Sequence, residues 1–375
     1  MKIAIDLLWV RHNKVGGIES HARNLLDGFL ELKDDFEVIL LVSKDNGDTF
    51  EEYCRDSRFT LHKCPIESAN VGKRIVWQNL FLGKMLRRLG ADVCFEPYYC
   101  KPFLGTRRTK FVTVIHDLQA KHFPEYFSKG KVLWMHFSWH SSIRTSASII
   151  AISNYVKEDI ECFDKNAVGK TVAIYDAIDI KDDEILEFSE IKTKYDIEQY
   201  EYFFTVSSLL PHKNVKTLIE TMKLLKKKGN NFKLIVSGVG GKSRDELQSL
   251  IDASELKEEV VLTPFISNSE RNTLYKNCKA FLFPSIFEGF GMPPIEAMYY
   301  GRPVITTKKT SLYEVTEGKA IYVDCPTNAS EWVKKIEDLN HMKMTQQINL
   351  EKYGKTVIAQ QYLDEIIAVA EKKRK

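Results

Sequence analysis

Along its length the chain alternates short apolar runs with longer segments whose apolar residues recur at helical spacing. Residues 2–8 (KIAIDLL), 38–42 (VILLV), 93–95, 111–115 (FVTVI) and 147–152 are brief, rich in Val, Ile and Phe, and closed by polar or turn residues. Runs of this kind are strands buried on both faces of a parallel sheet. The run 172–180 is expected to be the last strand of this set. A second series follows at 202–207, 232–241 (FKLIVSGVGG), 260–265, 281–285 and 303–305. Helical spacing fills the gaps, at 18–30, 77–89, 215–226, 269–278 and 339–375, and Ser153 stands where a helix N-cap belongs. Alternating strands and helices predict the α/β class, here two Rossmann-like parallel-sheet domains. Residues 182–201 are rich in charge and lack a period, which marks a linker. The expected division is a first domain over 1–185, a second over 186–355, and a terminal helix over 356–375 with a basic tail.

Residues 281–307 (FLFPSIFEGFGMPPIEAMYYGRPVITT) hold the densest local signal. The spacing predicts a strand, a loop built on Gly289 and Gly291, a helix over 295–300 opened by Pro293 and Pro294, and a further strand. Such a loop lies at the carboxyl ends of parallel strands, where ligands of open α/β sheets bind. Glu288 and Glu296 frame it, with seven residues between them. The following helix start offers N–H groups and partial positive charge to a phosphate or to sugar oxygens. Two glutamates alone would equally be a helix-start acid and a solvated surface acid.

Composition narrows the field. A chain of 375 residues with 44% hydrophobic and 28% charged residues is globular and long enough for two domains. A net charge of +3 gives no argument for a nucleic-acid partner. Seven scattered cysteines without a C-x-x-C pair read as reduced thiols of a cytoplasmic protein. The start MKIAIDLLWVRHN is interrupted by Asp6 and Arg11 and reads as a strand, not a signal peptide. No apolar run approaches the roughly 20 residues that span a bilayer, so a soluble or peripheral protein is expected. His136 and His140 are four apart, but Phe137 replaces the glutamate of a zinc-protease helix, and no metal site is assigned. No cofactor is expected either. A dinucleotide dehydrogenase is disfavoured, because no complete G-x-G-x-x-G follows the first strand.

The stretch PSIFEGFGMPPIEAMYYGRPVI resembles the E-x7-E signature of the retaining nucleotide-sugar glycosyltransferases of family 4, which have the two-domain GT-B fold. The resemblance implies that Glu288 faces the donor sugar and Glu296 the nucleotide ribose. Gly289, Phe290, Gly291 and Met292 would then contact the diphosphate or the sugar through the loop. SSLLPHKNVKTLIE is a second match and puts Lys213 at the family's diphosphate position. Many members carry an arginine five residues earlier, where this chain has Ser208, and His212 precedes the lysine. Phosphate neutralisation therefore rests on Lys213. VGGIESHARNLL is similar to the family's glycine-rich loop and gives Gly16 and Gly17 a donor-facing role. VIHDLQAKHFPEYFS resembles its His-Asp segment, implying that His116 contacts the donor sugar and that Asp117 shapes the acceptor side.

From the same resemblance follow a donor held in the cleft between domains, metal-independent transfer with retention, and a terminal helix that crosses back to the first domain. The PEY and PHKN segments favour GDP-mannose, with dTDP-rhamnose or a UDP-sugar as alternatives. The expected acceptor is a lipid-linked saccharide of a bacterial surface polysaccharide such as O antigen. A nucleotide-sugar epimerase or a non-catalytic scaffold of the same fold is the alternative from another class. Residues 129–146 contain Trp134, Phe137 and Trp139 between basic residues. Packing inside the first domain is favoured there over peripheral contact with the inner membrane, and the tail EKKRK is read as solvated before it is read as membrane-facing.

Overall fold

The computed structural model describes residues 1–11, 16–104, 109–179, 185–240, 242–339 and 348–372. The chain forms two compact units, one of Met1–Asp179 with Glu351–Lys375, the other of Ile180–Leu350. In the first, seven strands form one sheet: β1 (Lys2–Asp6), β2 (Glu37–Val42), β3 (Phe59–Lys63), β4 (Val93–Glu96), β5 (Lys110–Ile115), β6 (Ser148–Ala151) and β7 (Thr171–Ala173). Their order is β3-β2-β1-β4-β5-β6-β7, and every pairing is parallel. In the second, β8 (Glu201–Val206), β9 (Phe232–Ser237), β10 (Val260–Thr263), β11 (Ala280–Phe283), β12 (Val304–Thr307) and β13 (Ile321–Val323) form a parallel sheet in the order β10-β9-β8-β11-β12-β13. Strand order reverses between β1 and β4, and again between β8 and β11. These are the switch points where loops at the carboxyl edge diverge and leave room for a ligand.

The apolar runs became central strands because helices cover both faces. β4, β6 and β11 are buried at every position. In the first unit, helix Lys355–Glu371 packs on helix Gly17–Glu31. A Cβ on Gly28 would lie 2.5 Å from the Lys355 carbonyl oxygen and 2.6 Å from Ala359 Cβ, so these helices approach as closely as backbone permits. Lys110 at the start of β5 donates to the carbonyls of Val369 and Ala370 at 2.9 and 2.7 Å, placing a cation on the negative end of the terminal helix. Ser153 is an N-cap, its Oγ accepting from Val156 N–H at 3.2 Å.

Several boundaries differ from the sequence expectation. β3 was not anticipated, since FTLHK is an edge strand with a single buried residue and shows no apolar run. The helical stretch expected over 77–89 starts at Val71 and passes through a π turn, Gln78–Leu82. That turn aims Gln78 at Asp6 (2.7 Å) and puts Asn79 Oδ1 under the backbone N–H groups of Phe103 and Leu104. The run 172–180 stays in the sheet only over Thr171–Ala173. Within the expected linker, Phe188–Tyr195 is helical, but buries just Ile191 and Tyr195, which explains its faint period. The terminal helix begins at Lys355, after a short turn at Glu351–Tyr353, and 348–350 are not helical. Part of the basic tail, 373–375, lies outside the described residues. Helix Lys129–Thr145 divides its large apolar residues: Trp139 is fully buried, whereas Phe137 and Leu133 face outward. Among the described residues no helix is long and apolar enough to cross a membrane.

Candidate active site

The central loop of the second unit is built from β11 outward. Ile286 N–H donates to the carbonyl oxygen of His212 at 2.9 Å, which ties the loop after β11 to the loop after β8. Asn214 adds a second tie. Its Nδ2 donates to the carbonyls of Pro284 and Pro326 at 3.3 and 2.9 Å, from a left-handed backbone (φ +54°) that Asn tolerates well. The loop is then fixed from above. Glu288 N–H donates to Thr310 Oγ1 at 3.0 Å, and Ser311 Oγ donates to the carbonyls of Glu288 and Phe290 at 3.1 and 2.7 Å. Thr310 holds this position with φ +53°, an uncommon conformation for a β-branched residue and a local store of strain. Gly291 has φ +100°, and a Cβ there would stand 2.8 Å from Leu312 Cδ2, so glycine is required twice over. Helix Met292–Tyr299 follows, beginning three residues before the expected start because Pro293 and Pro294 sit within its first turn. Its N-cap, Gly291, has no side chain with which to bond the first amides.

The lysine and the first glutamate meet directly. Lys213 Nζ donates to both oxygens of Glu288, at 2.7 and 2.8 Å, with about a fifth of the lysine side chain and a tenth of the glutamate exposed. The same ammonium lies 5.9 Å from the centre of the Phe283 ring. His212 beside it is buried, and desolvation, then the Lys213 charge, push its imidazole down to about 4, so it is neutral at physiological pH. Charge on this loop therefore comes from Lys213, as Ser208 and His212 supply none. Glu296 is mostly buried one turn into the helix and lies 3.9 Å from Arg271 Nε. Burial first, then the Glu296 carboxylate, push ionisation of the neighbouring Tyr275 well above its ordinary range. Phe265, just past the end of β10, is 86% exposed, an aromatic face of the kind a base stacks on.

The first unit contributes a separate set. Gly16 is the N-cap of helix Gly17–Glu31, extended and without a side-chain cap, and a Cβ on either glycine would meet nothing within 4 Å. The loop before them, 12–15, lies outside the described residues. His116 follows β5 and is partly exposed. Its Nε2 lies 3.1 Å from the Pro97 carbonyl oxygen. A carbonyl only accepts, so Nε2 carries the hydrogen and Nδ1 presents a lone pair. Desolvation, reinforced by His21, pushes the His116 imidazole down to about 4. Asp117 Oδ1 accepts from Gln119 N–H at 2.8 Å and opens the short helix Gln119–His122. His21, His116 and Asp176 converge here, their ligand-type atoms within 4.8 Å of one another. The ligands of a single tetrahedral zinc would stand only about 3.4 Å apart.

Thus Lys213, Glu288 and the loop Gly289–Phe290–Gly291–Met292 form one cluster with Glu296 a turn beyond, while His116, Asp117, Gly16 and Gly17 belong to the first unit. Sequence reasoning did not single out His21, Asp176 or Asn214 as site residues, whereas the segment 310–315 resembles a family segment near the phosphates. His21 lies within the segment VGGIESHARNLL and Asp176 within the run 172–180, but only the fold shows that they meet His116.

Comparisons with known proteins bear on the fold and the family. The family model for glycosyltransferase family 4 matches residues 15–182, and that for glycosyl transferases group 1 matches 187–357. Among solved structures, Anabaena HepE in complex with UDP superposes with a TM-score of 0.73 over 98% of this chain and 99% of that one, at 17% identity, and is a likeness of fold. The fold is that of the two-domain GT-B glycosyltransferases. The chain belongs to glycosyltransferase family 4. It is 28% identical over 228 residues to O-antigen chain mannosyltransferase B of Escherichia coli, covering 59% of each chain. It is 29% identical over 235 residues to O-antigen chain mannosyltransferase RfbU of Salmonella typhimurium, covering 63% of this chain and 62% of that one. The matched region thus spans about three fifths of each curated relative's length.

Proposed function

We propose that the protein is a retaining, metal-independent glycosyltransferase that moves a hexose from a nucleotide sugar to a lipid-linked saccharide in the synthesis of an O-antigen-like bacterial surface polysaccharide. The observation that carries this reading is the bidentate Lys213–Glu288 pair on a strained, glycine-dependent loop at the β8/β11 switch point. Lys213 and the amides at the start of helix Met292–Tyr299 supply positive charge for a diphosphate without a metal. Glu288, Gly289, Phe290, Gly291 and Met292 take the sugar and phosphate oxygens, and Glu296 the ribose hydroxyls. His116, neutral and with Nδ1 as acceptor, takes a hydrogen bond from a sugar hydroxyl, and Asp117 shapes the acceptor side. Gly16 and Gly17 offer backbone N–H groups to the donor.

In the reaction the bond from sugar C1 to the diphosphate oxygen breaks, and an acceptor hydroxyl oxygen bonds to C1 on the same face. The hydroxyl proton passes to the departing phosphate oxygen, and Lys213 stabilises the charge that develops there. Glu288 orients the sugar and forms no bond to it. GDP-mannose is the favoured donor, supported by the two mannosyltransferase relatives, with dTDP-rhamnose and UDP-sugars as competitors. The outward Leu133 and Phe137 suit peripheral contact with the cytoplasmic face of the inner membrane, where such an acceptor resides.

The test is binding and turnover of GDP-mannose, dTDP-rhamnose and common UDP-sugars by the purified protein in EDTA. The anomeric configuration of the product is assigned by NMR. Turnover of one donor with retention, undiminished by EDTA, is expected. Interconversion of the donor without acceptor would indicate an epimerase, and no binding at all a scaffold.

A further inference from the structure

Behind His116 lies a buried acid and imidazole that the proposed chemistry does not use. His21 Nδ1 stands 2.8 Å from Asp176 Oδ1, with both side chains almost fully buried. The His21 ring meets the His116 ring edge to face, centroids 4.9 Å apart at 87°, and lies 5.6 Å from the ring of Tyr362 on the terminal helix. The backbone on either side of Asp176 is fixed: Ile174 N–H donates to Ala151 O at 2.9 Å, Asn24 Nδ2 to Ala177 O at 3.0 Å, and Ile178 N–H to Tyr353 O at 2.8 Å. Despite this clamping, among the described residues His21 Nε2 and the Tyr362 hydroxyl have no hydrogen-bond partner, and His21 Nδ1 and Asp176 Oδ1 face each other as an ion pair without an aligned hydrogen bond. Buried polar atoms in that state cost stability, and a core built for packing alone would place carbon there. Local rules broken in this way tend to mark a functional site.

We propose that Asp176 and His21 are positioning residues for His116. The carboxylate anchors the His21 ring, and that ring wedges the His116 imidazole into the one orientation that keeps Nε2–H on the Pro97 carbonyl oxygen. Nδ1 is thereby kept as an acceptor for a hydroxyl of the donor sugar. This assignment rests on the reading of His116 as a sugar contact. It explains why a partly exposed histidine at a strand end, able in isolation to populate both tautomers, is held in one.

Long-range 1H–15N spectra of the full chain, with 15N-labelled histidine, test the assignment together with the variants D176N and H21F. In the wild type, His116 should appear as a single Nε2–H tautomer at neutral pH. In either variant it should become a mixture, and turnover should fall at least about tenfold while nucleoside diphosphate affinity stays within about twofold. Folded variants that keep a single tautomer and turnover within about twofold of wild type overturn the proposal. If neither variant folds, the wild-type spectrum decides alone, since an Nδ1–H or mixed His116 refutes it. A wild type that turns over no nucleotide sugar would sink the proposed function, and the tautomer measurement would still decide this inference.

Discussion

Replacing Glu288 by glutamine should move nucleotide affinity and turnover in opposite directions. In the structure the carboxylate takes both of its hydrogen bonds from Lys213, at 2.7 and 2.8 Å, so a diphosphate must compete with Glu288 for the ammonium. At 2.7 Å and an effective dielectric of about 20, the gross attraction is about 6 kcal/mol. Desolvation and solvent screening of these partly exposed side chains return most of it, leaving about 1–2 kcal/mol. Glutamine keeps the shape, releases the lysine and removes a negative charge facing the phosphates. Nucleoside diphosphate binding, measured by calorimetry on the apo protein, should therefore tighten about 5- to 30-fold. Turnover should fall about 10²–10³-fold, because the carboxylate that orients the sugar is lost. Unchanged or weaker diphosphate binding by a folded E288Q protein would refute the competition, and turnover near wild type would remove Glu288 from the site.

Three further outcomes follow from the same structure. K213A should weaken nucleoside diphosphate binding at least about tenfold with little change in melting temperature; equal affinity in calorimetry would remove the lysine from the phosphate site. G28A should destabilise the first unit by about 1–3 kcal/mol in denaturant titrations, since its Cβ would meet the Lys355 carbonyl oxygen and Ala359 Cβ at 2.5 and 2.6 Å. His212 titrates near 4 in the fold against 6.5 unfolded, so its contribution is present above pH 6.5 and is lost as pH falls towards 4. Urea midpoints of H212Q should accordingly fall less than those of the wild type over that window, and parallel curves would show that His212 is not buried as a neutral ring.

What the sequence disclosed follows the physics of each element. β1, β2, β5 and β8 to β12 were readable as short apolar runs, whereas the three-residue edge strand β13 was not. β3 was not, because an edge strand buries one residue and leaves no run to see. The Gly291 turn and the prolines of helix Met292–Tyr299 were readable as local chemistry, since φ +100° excludes other residues and proline suits the first helical turn. The segment around Thr310 was readable only as a family likeness, and its strained backbone and its bond to Glu288, 22 positions earlier in the chain, were not readable. His21 and Asp176 were opaque as well. A histidine in a helix and an aspartate in a loop carry no joint pattern until the fold brings them together.

The two sheets share a topology and use it differently. At the β1/β4 switch point the strand ends carry Asp6 and Glu96, and the chain fills the space with its own side chains. Gln78 donates to Asp6 Oδ2 at 2.7 Å, and Lys101 and Arg74 are buried nearby. Burial pushes Glu96 well above the usual carboxylate range and Lys101 down to about 8, so charge there is suppressed and enclosed. At the β8/β11 switch point, by contrast, Lys213 and Glu288 keep part of their surface exposed, beside a helix start whose N-cap is Gly291. A switch point of suppressed, enclosed charge presents no ready cation, whereas one with a solvent-reachable cation beside a helix start is prepared for an anion. In the first unit, the groups proposed to face the donor are Gly16 and Gly17 at the start of the helix after β1, and His116 after β5. His116 is tied to the loop after β4 through the Pro97 carbonyl oxygen, as Glu288 is tied to Thr310, and His21 and Asp176 stand beside it as the proposed brace.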